Sequence, residues 1–340
     1  MIKKESNDWK KEYPRKWFST PYSFKEGVLW VLHNMLKPCK KYKKFTKFIP
    51  QDLIISDINP KISLCFIGDI MKMGKRELKF SNELKKFIDT DYLIGNFEGT
   101  ISSAKKVFMA QDHNPSIIEY LKNLYPPSKF ILTCANNHSG DFGWTEFNKS
   151  YNLLKENGFL VIGRRDEPFI ILNNTIKIAV VSKWSNQPCK YIPNFNDLDD
   201  LSKDQRNFNI LYPHWGYEMQ LYPNLKQIEL AKNLLLTWDL IIGHHSHCPQ
   251  PVTLYNINNK KKLIAYSLGN FCANLKLKRY NHGIIIKVKI GPDKNGFWNI
   301  GNISWRFTKI NHINKNETII ELSTKSDLFK DIEFLEVKYI

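Results

Sequence analysis

From Lys61 onward, short apolar β-branched runs alternate with longer segments of helical spacing, the order of an α/β domain. The runs 62–68 (ISLCFIG), 91–95 (DYLIG), 129–134 (KFILTC), 159–163 (FLVIG), 208–212 (FNILY) and 239–243 (DLIIG) predict strands. Helices are predicted near 79–89, 116–124, 144–157 and 224–237. The third stops at Asn157-Gly158, and the fourth starts after Pro223. Two segments read as hairpins, 168–182 turning at Asn173-Asn174 and 251–268 turning between Asn256 and Lys262. Residues 283–290, 297–309 and 317–322 predict strands of a second, mostly antiparallel sheet.

Residues 1–60 are patterned differently. Phe24, Val28, Val31, Leu32 and Met35 share one helical face, and Lys37, Lys40, Lys41, Lys43, Lys44 and Lys47 follow it. Such a segment is either a helix packed on the main domain with a solvated lysine face or an anchor on an anionic membrane surface through residues 24–47. The expected division is a basic extension over 1–60 and one α/β domain over 61–340.

Charge sharpens this picture. The 340 residues carry 50 Lys+Arg against 33 Asp+Glu, a surplus of +17, and 9 of those 17 charges fall within the first fifty residues. Such a balance attracts anions. Only seven of the basic residues are Arg, the side chain whose planar fork reads phosphates and bases, which argues against nucleic acid as a partner. At 42% hydrophobic and 24% charged, the composition excludes wholesale disorder and a polytopic membrane protein. Six scattered cysteines, without a CxxC pair, read as free thiols of a reducing compartment. No apolar signal core is evident, so the expected location is cytoplasmic, peripheral to the membrane if the basic helix docks there.

In an α/β sheet, ligands bind beyond the carboxyl ends of the strands. Here those ends deliver Asp69; Asn96 and Glu98; Asn136, Asn137 and His138; His214; and His244, His245 and His247. Five strand ends thus supply carboxylate, amide oxygen and imidazole, a donor set that suits Mn, Fe or Zn better than calcium or a structural zinc site. The donors outnumber what one tetrahedral ion needs. Two divalent ions sharing a carboxylate would use them, in hydrolytic chemistry.

Six motifs then carry a family resemblance: Gly68-Asp69-Ile70-Met71, Asn96-Phe97-Glu98-Gly99, Ala135-Asn136-Asn137-His138 with Asp141 and Gly143, His214-Trp215-Gly216-Tyr217-Glu218, Gly243-His244-His245-Ser246-His247, and Tyr266-Ser267-Leu268-Gly269-Asn270-Phe271. Over residues 62–290 the chain resembles the CapA family of capsule and poly-γ-glutamate synthesis, within the calcineurin-like metallophosphoesterase superfamily. The resemblance implies a two-sheet α/β/β/α sandwich. It also implies that Asp69 and His247 hold one ion, that Asn137, His214 and His245 hold the other, and that Glu98 bridges them. His138 would be the general acid or transition-state donor beside the ions, with Asp141 orienting its ring, capping the helix near Trp144, or both. Glu218 and Asn270 would support the ligands.

Two positions depart from the superfamily pattern. Met71 stands where a ligand His is usual, leaving the first ion weakly held, and Glu98 replaces a bridging Asp. Arg164, with Arg165, and Arg76, with Lys72, are candidates for binding an anionic substrate, a phosphoester or an acidic polymer. Three functions compete: a metal-dependent hydrolase, a polymer-binding or scaffold component of capsule synthesis without catalysis, and a nucleic-acid phosphodiesterase.

Overall fold

The structure is a computed structural model and describes residues 7–35, 42–43, 46–275, 277–329 and 332–335. Lys37, Lys40, Lys41 and Lys44 of the basic run, and Cys39, lie outside these residues.

The predicted strand runs all form. Helix α1 (Phe24–Met35) precedes strands β1 (Asp52–Ile54), β2 (Ile62–Ile70) and β3 (Glu77–Phe80). Next come α2 (Asn82–Phe87), β4 (Tyr92–Phe97), the short β5 (Thr100–Ile101) and β6 (Asp112–His113), and α3 (Ile117–Leu124). Then follow β7 (Phe130–Thr133), α4 (Gly143–Glu156), β8 (Leu160–Ile162), β9 (Phe169–Leu172), β10 (Ile176–Ser182) and α5 (Leu198–Ser202). The chain continues through β11 (Phe208–His214), α6 (Leu225–Leu234), β12 (Leu240–Ile242), β13 (Val252–Ile257), β14 (Lys260–Ala265) and β15 (Asn270–Cys272). Three long strands close it: β16 (His282–Pro292), β17 (Trp298–His312) and β18 (Glu317–Ser323).

Two expectations are corrected. The predicted helix 79–89 begins only at Asn82, where the Ser81 hydroxyl accepts the Leu84 N–H, because Glu77–Phe80 alternates with period two and pairs in parallel with β18. The C-terminal strands do not form a sheet of their own. β16 pairs antiparallel with β2, placing Ile286 opposite Phe66, so β16, β17 and β18 extend the first sheet in the order β3-β18-β17-β16-β2-β4-β7-β8. The reason is β2 itself, buried along nearly its whole length, whose backbone requires a partner on each side.

The second sheet comes instead from the middle of the chain, in the order β13-β14-β12-β11-β10-β9. Its hairpins turn at Asn173-Asn174 and Asn258-Asn259, all four in the left-handed region that asparagine tolerates. Alternate residues face opposite cores. Ile178, Val180, Ile210 and Tyr212 join the large core shared with Leu64 and Phe66, while Ala179, Val181 and Leu211 pack with Ile228 and Ala231 of α6. Phe66 and Tyr212 meet across the two sheets at 6.0 Å, and Phe147, Tyr151 and Leu154 of α4 add to the large core. The fold is a two-sheet α/β sandwich, and β2, β4 and β7 of one sheet point their carboxyl ends toward those of β11 and β12 of the other.

Candidate metal centre

The strand ends meet. Asp69 Oδ1 is 3.3 Å from His244 Nδ1, Asp69 Oδ2 is 3.3 Å from His247 Nδ1, and Asp69 also accepts the His245 N–H at 3.1 Å. Glu98 Oε1 stands 3.6 Å from His247 Nε2 and 3.8 Å from His138 Nε2. Across the cleft, Asn137 Oδ1 lies 2.6 Å from His214 Nε2. Asp69, Glu98, Asn137, His214 and His245 are wholly inaccessible. Local backbone makes this possible. Gly68 allows the Gly269 carbonyl so close that a Cβ would sit 1.9 Å from it, and His245 and His247 adopt φ of 95° and 54°, unusual for non-glycine residues and typical of functional turns.

Three acid–histidine groups each converge within 4.8 Å: Asp69, His214 and His244; Asp69, Glu98 and His247; and Glu218, His245 and His247. Both Glu98 carboxylate oxygens, His244 Nε2 and His245 Nδ1 are buried without a hydrogen-bond partner among the described residues. Such orphaned acceptors and lone pairs are costly unless something positive completes them, and their N/O chemistry fits a divalent ion.

The electrostatics agree. Burial pushes the Glu98 carboxyl up to about 8, helped by Asp69. Burial works against Asp69 too, but hydrogen bonds to His244 and His247 hold its carboxyl well below the usual range. Burial opposes a charge on His247, yet Glu98 and Asp69 raise it to about 10. Burial and neighbouring imidazoles keep His214 and His245 neutral, the form that ligates.

His138 sits at the rim. Its Nδ1 is 2.6 Å from Asp141 Oδ2, which also accepts the Gln111 N–H. Burial lowers the affinity of this ring for its proton, but Asp141 more than compensates. Asp141 does not cap α4: Glu12, from the N-terminal segment, accepts the N–H groups of Trp144 and Thr145 instead. Asn270 Oδ1 lies 2.9 Å from His247 Nδ1, and its amide donates to the Tyr280 carbonyl.

The other expected residues are engaged by protein groups. Arg164 is engaged by Asp166 and Asn148 over the Tyr151 ring, and Arg165 by Asp197. Arg76 holds Asn274 and the Asn314 carbonyl, while Lys72 holds the Ala110 carbonyl. Met71 is buried in the large core.

His244, which the strand-end pattern names but the resemblance leaves out of the ligand set, joins Asp69 and His214. Other contributors escape sequence reading. Glu218, expected only as a support, converges with His245 and His247 as a possible ligand. Asn186 accepts from Asn137 Nδ2 at 3.0 Å and lies 3.2 Å from His138 Nδ1, with no motif to mark it. Tyr22, from a segment with no apparent chemistry, brings its hydroxyl 3.1 Å from His245 Nε2. A cavity of about 450 Å³ beside α1, lined by Glu26, Trp30, Lys183 and Tyr217 among others, holds none of the acid–histidine residues.

The family profile described as bacterial capsule synthesis protein PGA_cap matches residues 63–275, more than half of the chain and all but the last supporting strands around the centre. The chain belongs to that family. It is 26% identical over 277 residues to the PGA biosynthesis protein CapA of Bacillus subtilis (strain 168), covering 69% of each protein. It is also 26% identical over 251 residues to the capsule biosynthesis protein CapA of Bacillus anthracis, covering 63% of this chain and 60% of that relative. The calcineurin-like phosphoesterase YfkN of Bacillus subtilis superposes with a TM-score of 0.39 at 12% identity, over 74% of this chain and 91% of that one. Among the described residues of this PGA_cap protein, no helix is long and apolar enough to cross a membrane.

Proposed function

We propose that this protein is a metal-dependent hydrolase of capsule or poly-γ-glutamate metabolism, acting on a phosphoester or an amide of an acidic polymer. The observation that carries this reading is the buried convergence of Asp69, Glu98, His214, His244, His245 and His247 with orphaned donor atoms. In it, Asp69 and His247 would hold one divalent ion, Asn137, His214 and His245 would hold a second, and Glu98 would serve both. Bound ions of the Mn, Fe or Zn class supply Lewis-acid polarisation of a phosphoryl or carbonyl oxygen. The chain's own residues do the rest. His138 holds a proton at Nε2, facing Glu98, and Asp141 fixes the ring through Nδ1. Asn186 orients the Asn137 amide so that its oxygen faces His214.

Elemental analysis of the purified protein, followed by turnover of phosphodiester and γ-glutamyl amide substrates with Mn²⁺, tests the reading. Bound metal with chelator-sensitive turnover supports it. Bound metal without turnover of any acidic substrate favours the polymer-binding alternative, to which the side chain at Met71 lends weight.

The exposed face of α1 supports a peripheral membrane contact. Phe24 and Met35 are 90% and 78% exposed, with Val28, Val31 and Leu32 between them, and the lysine-rich run follows in sequence. Cosedimentation with phosphatidylserine vesicles that is lost in Phe24→Ser/Met35→Ser would support that contact, and sedimentation equal to that with neutral vesicles would oppose it.

A further inference from the structure

The N-terminal segment lies over the candidate centre. Trp9 packs edge-on against Trp144 at 5.2 Å, Glu12 binds the first turn of α4, and Arg15 donates to the Asp141 carbonyl at 3.3 Å. Lys16 exchanges two hydrogen bonds with the Gln187 amide, and the Trp17 and Phe18 rings meet Phe108. The strap then turns inward at Tyr22. The ring is 7% exposed, wedged against Trp184 at 5.1 Å and Tyr217 at 5.3 Å, and beyond it Trp30 donates to the Glu218 carbonyl. None of these strap residues falls within the family-matched span 63–275.

The Tyr22 oxygen touches two of the three residues in one acid–histidine group. It accepts the Glu218 N–H at 3.0 Å and stands 3.1 Å from His245 Nε2. The other nitrogen of that ring, Nδ1, is buried without a hydrogen-bond partner. A neutral imidazole carries one proton. Placed on Nδ1, that proton would be a buried donor facing no acceptor, which costs the full desolvation of the group. Placed on Nε2, it is donated to the phenol oxygen and leaves Nδ1 as a bare lone pair, and the donor that must then turn to another acceptor is the phenol O–H, which rotates about its C–O bond as a ring N–H does not. Ligating histidines commonly give their second N–H to a fixed acceptor, which sets the tautomer and holds the ring in place. His247 likewise has fixed oxygen partners at one nitrogen, Asn270 Oδ1 and Asp69 Oδ2 beside Nδ1, and its Nε2 is directed at Glu98.

We infer that Tyr22 is a positioning residue of the centre: its phenol oxygen accepts the Nε2–H of His245 and aims Nδ1 at a divalent ion, so that the N-terminal strap completes the site the family-matched domain leaves open. This rests on the metal-centre reading above. Removing the hydroxyl frees the ring to rotate and to exchange tautomers, and Nδ1 is no longer held toward the ion.

Two measurements on the full chain test it. Imidazole ¹⁵N spectra of metal-free protein are expected to show His245 as the Nε2–H tautomer, changing to a mixture in Tyr22→Phe and staying as in wild type in Tyr217→Phe. The latter variant removes the hydroxyl that meets Glu26 and leaves the Tyr22 hydroxyl in place. Calorimetric titration with Mn²⁺ is expected to show about a tenfold loss of affinity at one ion in Tyr22→Phe only. An Nδ1–H tautomer in wild type, or spectra and Mn²⁺ binding unchanged in Tyr22→Phe, would overturn the inference. Equal loss in both variants would do so as well, by assigning the effect to strap packing. Absence of Mn²⁺ binding in wild type would sink the metal-centre reading, while the tautomer still decides whether Tyr22 holds His245.

Discussion

The two sheets bring different chemistry to the centre. The first supplies oxygen: Asp69 lies near the end of the ladder of β2, and Glu98 and Asn137 follow β4 and β7. The second supplies nitrogen: His214 ends β11, and His244, His245 and His247 follow β12. Neither edge is stable chemistry alone. The oxygen edge buries two carboxylates whose mutual repulsion helps raise Glu98, and the nitrogen edge buries imidazoles that depress one another's protonation. Only when the sandwich closes does Asp69 reach His244 and His247. The contacts that complete the site are therefore contacts between the two sheets, and a cation would finish the compensation that the residues begin.

Removing a member of each edge tests that division. His214→Ala should have the largest effect, because on the proposed assignment it takes a nitrogen from the ion held with Asn137. Metal content after dialysis is expected to fall to at most half, and turnover by more than about a hundredfold. Retention of full metal content would show that the second sheet does not supply a ligand there.

On the proposed reading, His138→Gln removes the proton carrier at the rim and leaves the ligands intact. Turnover is expected to drop by about 10²- to 10⁴-fold with metal content unchanged, and Asp141→Asn by less, since it acts only through the His138 ring. Parallel metal analysis and steady-state rates separate these outcomes. A variant that loses metal along with activity would move His138 from proton donor to ligand.

How far these expectations could be read from the sequence follows a physical line. Residues placed by the end of a strand were legible, because a buried β-branched run fixes where its loop begins. Asp69, Glu98, Asn137 and the histidines therefore come together as the pattern implies. Pairing between distant strands was not legible, which is why β16, β17 and β18 were expected in a separate sheet although Ile286 sits beside Phe66. Tyr22 reaches His245 across 223 residues, and Asn186 reaches His138 across 48, through contacts that carry no local periodicity. Arg164 and Arg165 show the converse: a strand-end arginine pair suggests an anion site, yet both find acidic partners on neighbouring loops.

Met71 gives the smallest expected effect. The side chain is 3% exposed within the large core, so the end of β2 offers one candidate ligand, Asp69, where two would hold an ion better. Met71→His is expected to tighten the weaker ion about tenfold in a Mn²⁺ titration, and to lower the unfolding temperature because a polar ring replaces an apolar one in the core. Unchanged affinity with lowered stability would mean that the new ring stays in the core and that the vacancy at this edge is filled by other groups.

The central claim is that oxygen and nitrogen edges from two sheets enclose divalent ions. Anomalous diffraction from crystals of the full chain soaked in Mn²⁺ tests it most directly. The account predicts one peak among Asp69, Glu98 and His247, and a stronger one among Asn137, His214 and His245. Well-ordered crystals in which neither place shows anomalous density, while Mn²⁺ binds elsewhere or not at all, would contradict it.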